Sequence, residues 1–219
     1  TAVDGVVAAV PFDDVVTRSA TQNVVIGAAE HGVVAVAAIG LVRAAHAVDG
    51  VVAATAVDHV VTRIAEDVVV AFGTVIENSR GGAGNDRLAG NPASNRIEGN
   101  QGDDMLNGKQ GDDILLAGDG DDRLRGGKGA DWINGGPGDD ILRGGPGADT
   151  FVFNGGRDEI RDFQDDFDRI KVQGFGSVAE ILSDTEQRGA DIWIDLGGGH
   201  SLLVHDATRA DLMDGDLFV

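Results

Sequence analysis

The chain has 219 residues, of which 37 are Asp or Glu and 17 Lys or Arg, giving a formal charge of −20, and it contains no cysteine. That charge argues against nucleic acid or an anionic membrane as partner, and the missing cysteine removes disulfides and thiolate metal sites. The longest uncharged apolar run, roughly residues 32–42, is about half what a bilayer crossing needs, so no membrane span is expected.

Residues 1–71 form a first segment, rich in Val and Ala. "AVDGVVAAVPFDDVVTR" at 2–18 returns as "AVDGVVAATAVDHVVTR" at 47–63 with 13 of 17 residues identical, over a nine-residue beat of Val-Val pairs at 6, 15, 24, 33, 51 and 60, with Val69-Val70. Such a beat permits a metal-free β-solenoid or an adhesive segment, of irregular or weakly stacked β structure. The opening "TAVDGVV" has no Met and no basic region, so no signal peptide is read there and the chain is taken as a piece of a longer protein.

From Gly81 the chain falls into ungapped rows of nine: GGAGNDRLA, GNPASNRIE, GNQGDDMLN, GKQGDDILL, AGDGDDRLR, GGKGADWIN, GGPGDDILR and GGPGADTFV, ending at Val152. The eighth column is Leu88, Ile97, Leu106, Leu115, Leu124, Ile133, Leu142 and Phe151; the sixth is aspartate in every row but the second, where Asn95 stands. A fixed short period means a solenoid, because one row cannot bury its single apolar residue alone and stacking supplies the core. Glycines permit positive φ, so the first six residues of a row read as a tight turn and the last three as a short strand. A solvated Gly/Asp linker would have no reason to keep the eighth column apolar in every row.

Stacked turns bring aspartates into columns, where like charges repel and demand a cation. Carboxylates and turn carbonyls are hard oxygen ligands, and a flexible oxygen cage favours calcium over magnesium; without Cys in the chain or His in the rows, zinc and copper are not expected. The candidate calcium-binding residues are Asp86, Asp104, Asp113, Asp122, Asp131, Asp140 and Asp149 together with the turn glycines Gly82, Gly84, Gly102, Gly111, Gly120, Gly127, Gly129, Gly136, Gly138 and Gly147. An EF-hand reading of "DGDDRLRG" fails, since Arg123 and Ala130 fall where oxygen ligands are needed.

The rows resemble the GGxGxDxUx nonapeptide of the RTX calcium-binding family. The resemblance implies an all-β fold, a parallel β-roll in which every second row stacks and calcium lies between the turns. It places Asp86, Asp104, Asp122 and Asp140 in one column and Asp113, Asp131 and Asp149 in the other, with Asn95 heading the second as a weak or empty site. The lead-in "AFGTVIENSRGGAGNDRLAGN" and the flank "GADTFVFNGGRDEIRDFQDDFDRIKV" are similar to those around the roll of serralysin-type secreted metalloproteases, so the resemblance runs from Phe72 to Val219.

After the rows, Phe151, Phe153, Ile160, Phe163, Ile170 and Val172 supply a cap for the open end of the roll. Asp158, Asp162 and Asp168 are read as a solvated face ahead of a last metal site. "SVAE", Ser177 to Glu180, is a capping box for a short helix, and "DIWIDLGGGHSLLVHD" is a hairpin with Ile192, Ile194 and Leu196 alternating, glycines 197–199 at the turn, and Leu202 with Val204 returning. His200 and His205 lack a third ligand at metal spacing and are read, like Trp193, as surface or packing residues. The ending "DGDLFV" resembles the uncleaved tail by which serralysin-like proteins engage type I secretion machinery; lying beyond the roll, Asp216 to Val219 should be removable at the expense of export but not of calcium binding.

These readings divide the chain into 1–71, the roll at 72–152, and a capping and secretion-signal region at 153–219. There is no HExxH, GxSxG, cysteine nucleophile or Asp-Pro bond, so the chain reads as a non-enzymatic calcium-binding module, secreted and monomeric, that folds on calcium outside the cell. Two alternatives stay open: a piece of a larger secreted enzyme (protease, lipase or polysaccharide epimerase), and a calcium-dependent surface adhesin.

The genetic code offers an origin for the first segment. GAC and GGC read as GTC and GCC on the opposite strand, so a gene for GGxGDDxIx encodes xDxVVAxAA in reverse, a template matched by "FDDVVTRSA" (12–20), "TQNVVIGAA" (21–29) and "EHGVVAVAA" (30–38). Residues 1–71 are accordingly read as an inverted or antisense-read stretch of the same repeats. The complementary strand of codons 1–71 should encode Gly- and Asp-rich nonapeptides; stop codons in that frame, seen on sequencing the gene, would refute the origin.

Overall fold

The computed structural model describes residues 79–213 and 215–219 with their side chains; Asn78 and eight short strands before it are described by backbone alone. Those strands are β1 (Val6–Ala8), β2 (Val15–Thr17), β3 (Val24–Ile26), β4 (Val33–Ala35), β5 (Leu41–Ala44), β6 (Val51–Ala53), β7 (His59–Val61) and β8 (Val68–Ala71). All but β5 contain a Val-Val pair. The described backbone continues with β9 (Asn78–Arg80), β10 (Arg87–Ala89), β11 (Arg96–Gln101), β12 (Met105–Gln110), β13 (Ile114–Asp119), β14 (Arg123–Lys128), β15 (Trp132–Asn134), β16 (Ile141–Arg143), β17 (Thr150–Phe153), β18 (Arg157–Ile160) and β19 (Arg169–Val172).

Each row supplies one strand, and successive strands join alternate sheets. Odd-numbered strands up to β19 lie side by side in one parallel sheet, even-numbered strands up to β18 in the other. The all-β parallel roll expected from the sequence is the architecture found. Equivalent residues of every second row are direct neighbours: Leu88 pairs with Leu106, Leu106 with Leu124 and Leu124 with Leu142, while Ile97 pairs with Leu115, Leu115 with Ile133 and Ile133 with Phe151. The two-residue period of a strand turns these side chains inward, and every eighth-column residue is at most 3% exposed. Positions beside that column face outward. They include Arg123, Arg125 and Arg143 on the even sheet, and Ile114, Leu116 and Trp132 on the odd sheet, where the Lys171 ammonium lies 5.6 Å from the Trp132 ring centroid.

Beyond the rows, Ile160 extends the even ladder and Ile170 the odd one. The helix α1 (Val178–Ser183) starts at the expected capping box: Glu180 accepts the Ser177 N–H at 2.6 Å and donates its own N–H to Ser177 Oγ at 3.4 Å. It leads into β20 (Thr185–Arg188), β21 (Asp191–Gly197) and β22 (His200–Val204). β21 and β22 form the expected hairpin, Ile192 opposite Val204 and Ile194 opposite Leu202, and β22 runs parallel to β18, so the hairpin closes the even sheet. β20 adds an outer strand that the sequence did not announce, because "TEQR" has no apolar alternation. Among the described residues, no helix is long and apolar enough to cross a membrane.

The tail departs from expectation. Its strand β23 (Leu217–Phe218) lies beside β19 in the odd sheet, Leu217 is 3% exposed within the core, and the Ile170 N–H donates to the Asp216 carbonyl at 2.6 Å. Leu217 and Phe218 of the tail thus form the last strand of the odd sheet, and removing residues 216–219 takes a core residue and a backbone hydrogen bond with them. Leu217→Ala should lower the unfolding free energy of the calcium-loaded chain by about 2–5 kcal/mol; an unchanged midpoint in a denaturant melt would show the tail to be peripheral.

Candidate metal centre

The turns are shaped by their glycines. Gly84, Gly102, Gly111, Gly120, Gly129, Gly138 and Gly147 all take φ between +100° and +157°. A Cβ at Gly120 would overlap the Gly102 carbonyl oxygen, and one at Gly138 that of Gly120, so turns stack backbone on backbone. In the second column Gly127 and Gly136 also take positive φ, as do Gly118 and Gly145, which sequence reasoning passed over. Gly82 donates its N–H to Asp86 Oδ2 at 2.7 Å. At Gly99, Gly108, Gly126, Gly135 and Gly144 the place of a Cβ is taken by Oδ2 of the following sixth-column aspartate.

The stacked turns put the aspartates into two files joined by one repeated hydrogen bond. In one file the N–H of Asp86 donates to Asp104 Oδ1 at 2.7 Å, Asp104 to Asp122 at 2.6 Å, Asp122 to Asp140 at 2.9 Å and Asp140 to Asp158 at 3.1 Å. In the other, Asn95 donates to Asp113 at 2.7 Å, Asp113 to Asp131 at 2.8 Å, Asp131 to Asp149 at 2.9 Å and Asp149 to Asp168 at 2.9 Å. The geometry therefore brings together the aspartates expected in each column and lengthens both files by one. Asp158 and Asp168 are 2% and 0% exposed, which corrects their reading as a solvated face. Asp162 is half-buried, its Oδ1 accepting the Gly144 N–H at 2.9 Å. Spacing was the missed signal: Asp158 follows Asp140 by 18 residues, with Gly156 still at positive φ two residues before it, and Asp168 follows Asp149 by 19, where the glycine pattern has lapsed.

The second oxygen is where the site becomes chemically pointed. Oδ2 of Asp104, Asp113, Asp122, Asp131, Asp140, Asp149 and Asp158 is buried without a hydrogen-bond partner. A buried carboxylate with a bare oxygen is costly unless a positive charge meets it. Burial, reinforced for most of them by neighbouring carboxylates, pushes Asp104, Asp122, Asp140 and Asp149 up to about 7 and Asp158 up to about 9. Asp113, Asp131 and Asp168 rise to about 6, the N–H bonds they accept working against the shift. Among the described residues no three His, Cys, Asp or Glu side chains converge on one point, so a cation here would take most of its ligands from turn carbonyls. Carboxylate and carbonyl oxygens fit a hard cation. Neither His200 nor His205 belongs to the files: His200 Nδ1 accepts the Gly156 N–H at 2.9 Å and its ring packs on Phe175, and His205 lies between Asp191 and Glu159.

The family model of the RTX calcium-binding nonapeptide repeat (4 copies) matches residues 80–115, 116–151 and 129–160. Residues 80–160 are RTX repeats. RTX nonapeptide repeats are calcium-binding, and oxygen donors of the kind that line these turns suit that cation. Solved structures that match the chain include the extracellular lipase LipA from Serratia marcescens, at TM-score 0.38 and 11% identity over 92% of this chain and 40% of that one. A second is the AlgE6R3 subunit of the Azotobacter vinelandii mannuronan C5-epimerase, at TM-score 0.31 and 26% identity over 61% of this chain and 77% of that one. The chain thus spans less than half the lipase's length. No curated protein matches the chain.

The raised carboxyls set a pH dependence for the metal-free chain. Between the ordinary value of 3.8 and about 7 the folded RTX roll holds protons that the unfolded chain has released, so metal-free folding is favoured at the acid end and lost as pH rises through that window. Metal-stripped chain should gain β signal in circular dichroism as it is titrated from about pH 8 to about pH 4; a signal that falls on acidification would contradict the arrangement of the files.

Proposed function

We propose that this chain is a non-catalytic calcium-binding module, exported and folded by calcium outside the cell. The observation that carries the reading is the pair of files of buried carboxylate oxygens without partners. The proposed ligands are the carboxylates of Asp86, Asp104, Asp113, Asp122, Asp131, Asp140 and Asp149 with carbonyls of the turn glycines, and we add Asp158 on the strength of its burial and bare oxygen. Calcium, when bound, supplies the positive charge these oxygens lack. One buried apolar side chain per row, worth about 1.5–3 kcal/mol, does not offset the ordering of nine residues at about 1–2 kcal/mol each. Metal-binding free energy then becomes folding free energy.

The serralysin-like flank and tail support export through a type I machine, with "DGDLFV" as the signal, and we read the chain as a monomer; by sequence we divide it into 1–71, of antisense origin, whose strands continue the two sheets of the roll, the calcium-binding rows within 72–152, and a capping region at 153–219. A longer gene would decide between this module alone and its place in a larger secreted protein: HExxH upstream means a protease, tandem sandwich domains an adhesin.

Circular dichroism and calorimetric titration of the full chain, with and without chelator, test the switch. Calcium should produce a large gain of β signal, and Asp131→Ala, placed between Asp113 and Asp149 in its file, should lose more calcium and more β signal than Asp86→Ala at the head of the other. A chelated chain that keeps its full β signal would falsify the reading.

A further inference from the structure

Row two breaks the repeat in both of its diagnostic columns, with Ala93 for glycine and Asn95 for aspartate, and the structure shows what replaces them. No residue from 90 to 95 takes a positive φ. The turn is instead held by side chains: Asn91 Oδ1 accepts the Ala93 N–H at 2.7 Å, and Asn95 Oδ1 accepts the Asn91 N–H at 3.4 Å. The Asn95 amide nitrogen then sits among three oxygens, donating to the Ala93 carbonyl, to the Asn91 carbonyl at 3.3 Å and to Asp113 Oδ1 at 2.9 Å. Asn91 and Asn95 are 1% and 5% exposed, so water does not compete for these bonds.

Two turn carbonyls and the carboxylate of the next turn are the kind of oxygen set that a hard cation takes. Here a neutral donor fills the space between them. An aspartate at 95 would put a fourth acceptor among three acceptors with no hydrogen to share. We propose that the Asn95 side-chain amide stands in for a bound cation, so that row two is complete without metal and Asn95 decides how many ions its file accepts. At the far end of the same file Asp168 is likewise satisfied by protein alone, Oδ1 by the Asp149 N–H and Oδ2 by the Gln164 N–H, both at 2.9 Å. The even-row file thus ends in metal-free turns, with its bare oxygens at Asp113, Asp131 and Asp149 between them.

This inference rests on the calcium reading of the files, and one experiment separates the two. The full chain, Asn95→Asp and Asn95→Ala are saturated with calcium and their bound ions counted by native mass spectrometry, with thermal melts alongside. Asn95→Asp should bind one ion more than the parent chain, and its melting point should depend more steeply on calcium. Asn95→Ala should bind the same number as the parent and melt at a lower temperature in saturating calcium. A folded Asn95→Asp chain that gains no ion, or an Asn95→Ala chain that loses one, overturns the proposal; if Asn95→Asp does not fold, the Asn95→Ala count decides alone. A parent chain that binds no calcium would fail the proposed function itself.

Discussion

The hydrogen bond from the N–H of one sixth-column residue to the carboxylate of the turn stacked on it is the contact on which the roll depends. Among the described residues it is made eight times, four in each file. A charge-assisted bond of this kind contributes about 1.5–3 kcal/mol, and it fixes the register of two rows more sharply than a one-residue apolar ladder does alone. It also creates the problem that the site answers. Spending one carboxylate oxygen on the neighbouring backbone turns the other into the interior of the turn, beside further carboxylates, where burial and repulsion both oppose its charge. Structure and cation requirement are two sides of one bond.

A core one residue deep leaves the ends of the stack exposed. The C-terminal end is covered by residues outside the repeat: Phe153, Phe163, Val172, Ile181, Ile192, Ile194, Leu202 and Leu217 are all buried there. The change from parallel to antiparallel pairing at β22, β21 and β20 is what ends the stack, because an antiparallel hairpin presents no next row to copy. Large side chains at the end do what thin rows cannot, and β23 brings the tail into that end cap.

The roll was legible because its two periods are written in residue type: glycine where φ must be positive and an apolar residue once per row. Asp168 was hidden because it keeps its place in its file through spacing after the surrounding glycines have gone, and Asp158 because Gly155 and Gly156 stand before it in a row otherwise unlike the repeat, so composition near both looks like ordinary solvated surface. β20 was hidden because its residues are polar and its partner, not its own pattern, makes it a strand. Leu217 looked like part of a free tail because three apolar residues at a terminus carry no periodicity; only the pairing with β19 reveals its role. Asn95 was visible as an exception, but its meaning depends on which of its atoms faces the carbonyls, and sequence does not encode that.

Because consecutive rows go to opposite sheets, the chain writes two surfaces in alternating lines. One line carries Arg123, Arg125 and Arg143, the other Ile114, Leu116 and Trp132, and each surface is read by skipping every second row. Adding or losing one row by slippage in the gene would keep every turn and every inward residue in place, yet exchange the two outer faces for everything downstream of the event. Adding or losing two rows would leave both faces as they were. The interior of such a molecule therefore tolerates changes of a single row, while the identity of its faces is inherited in units of two.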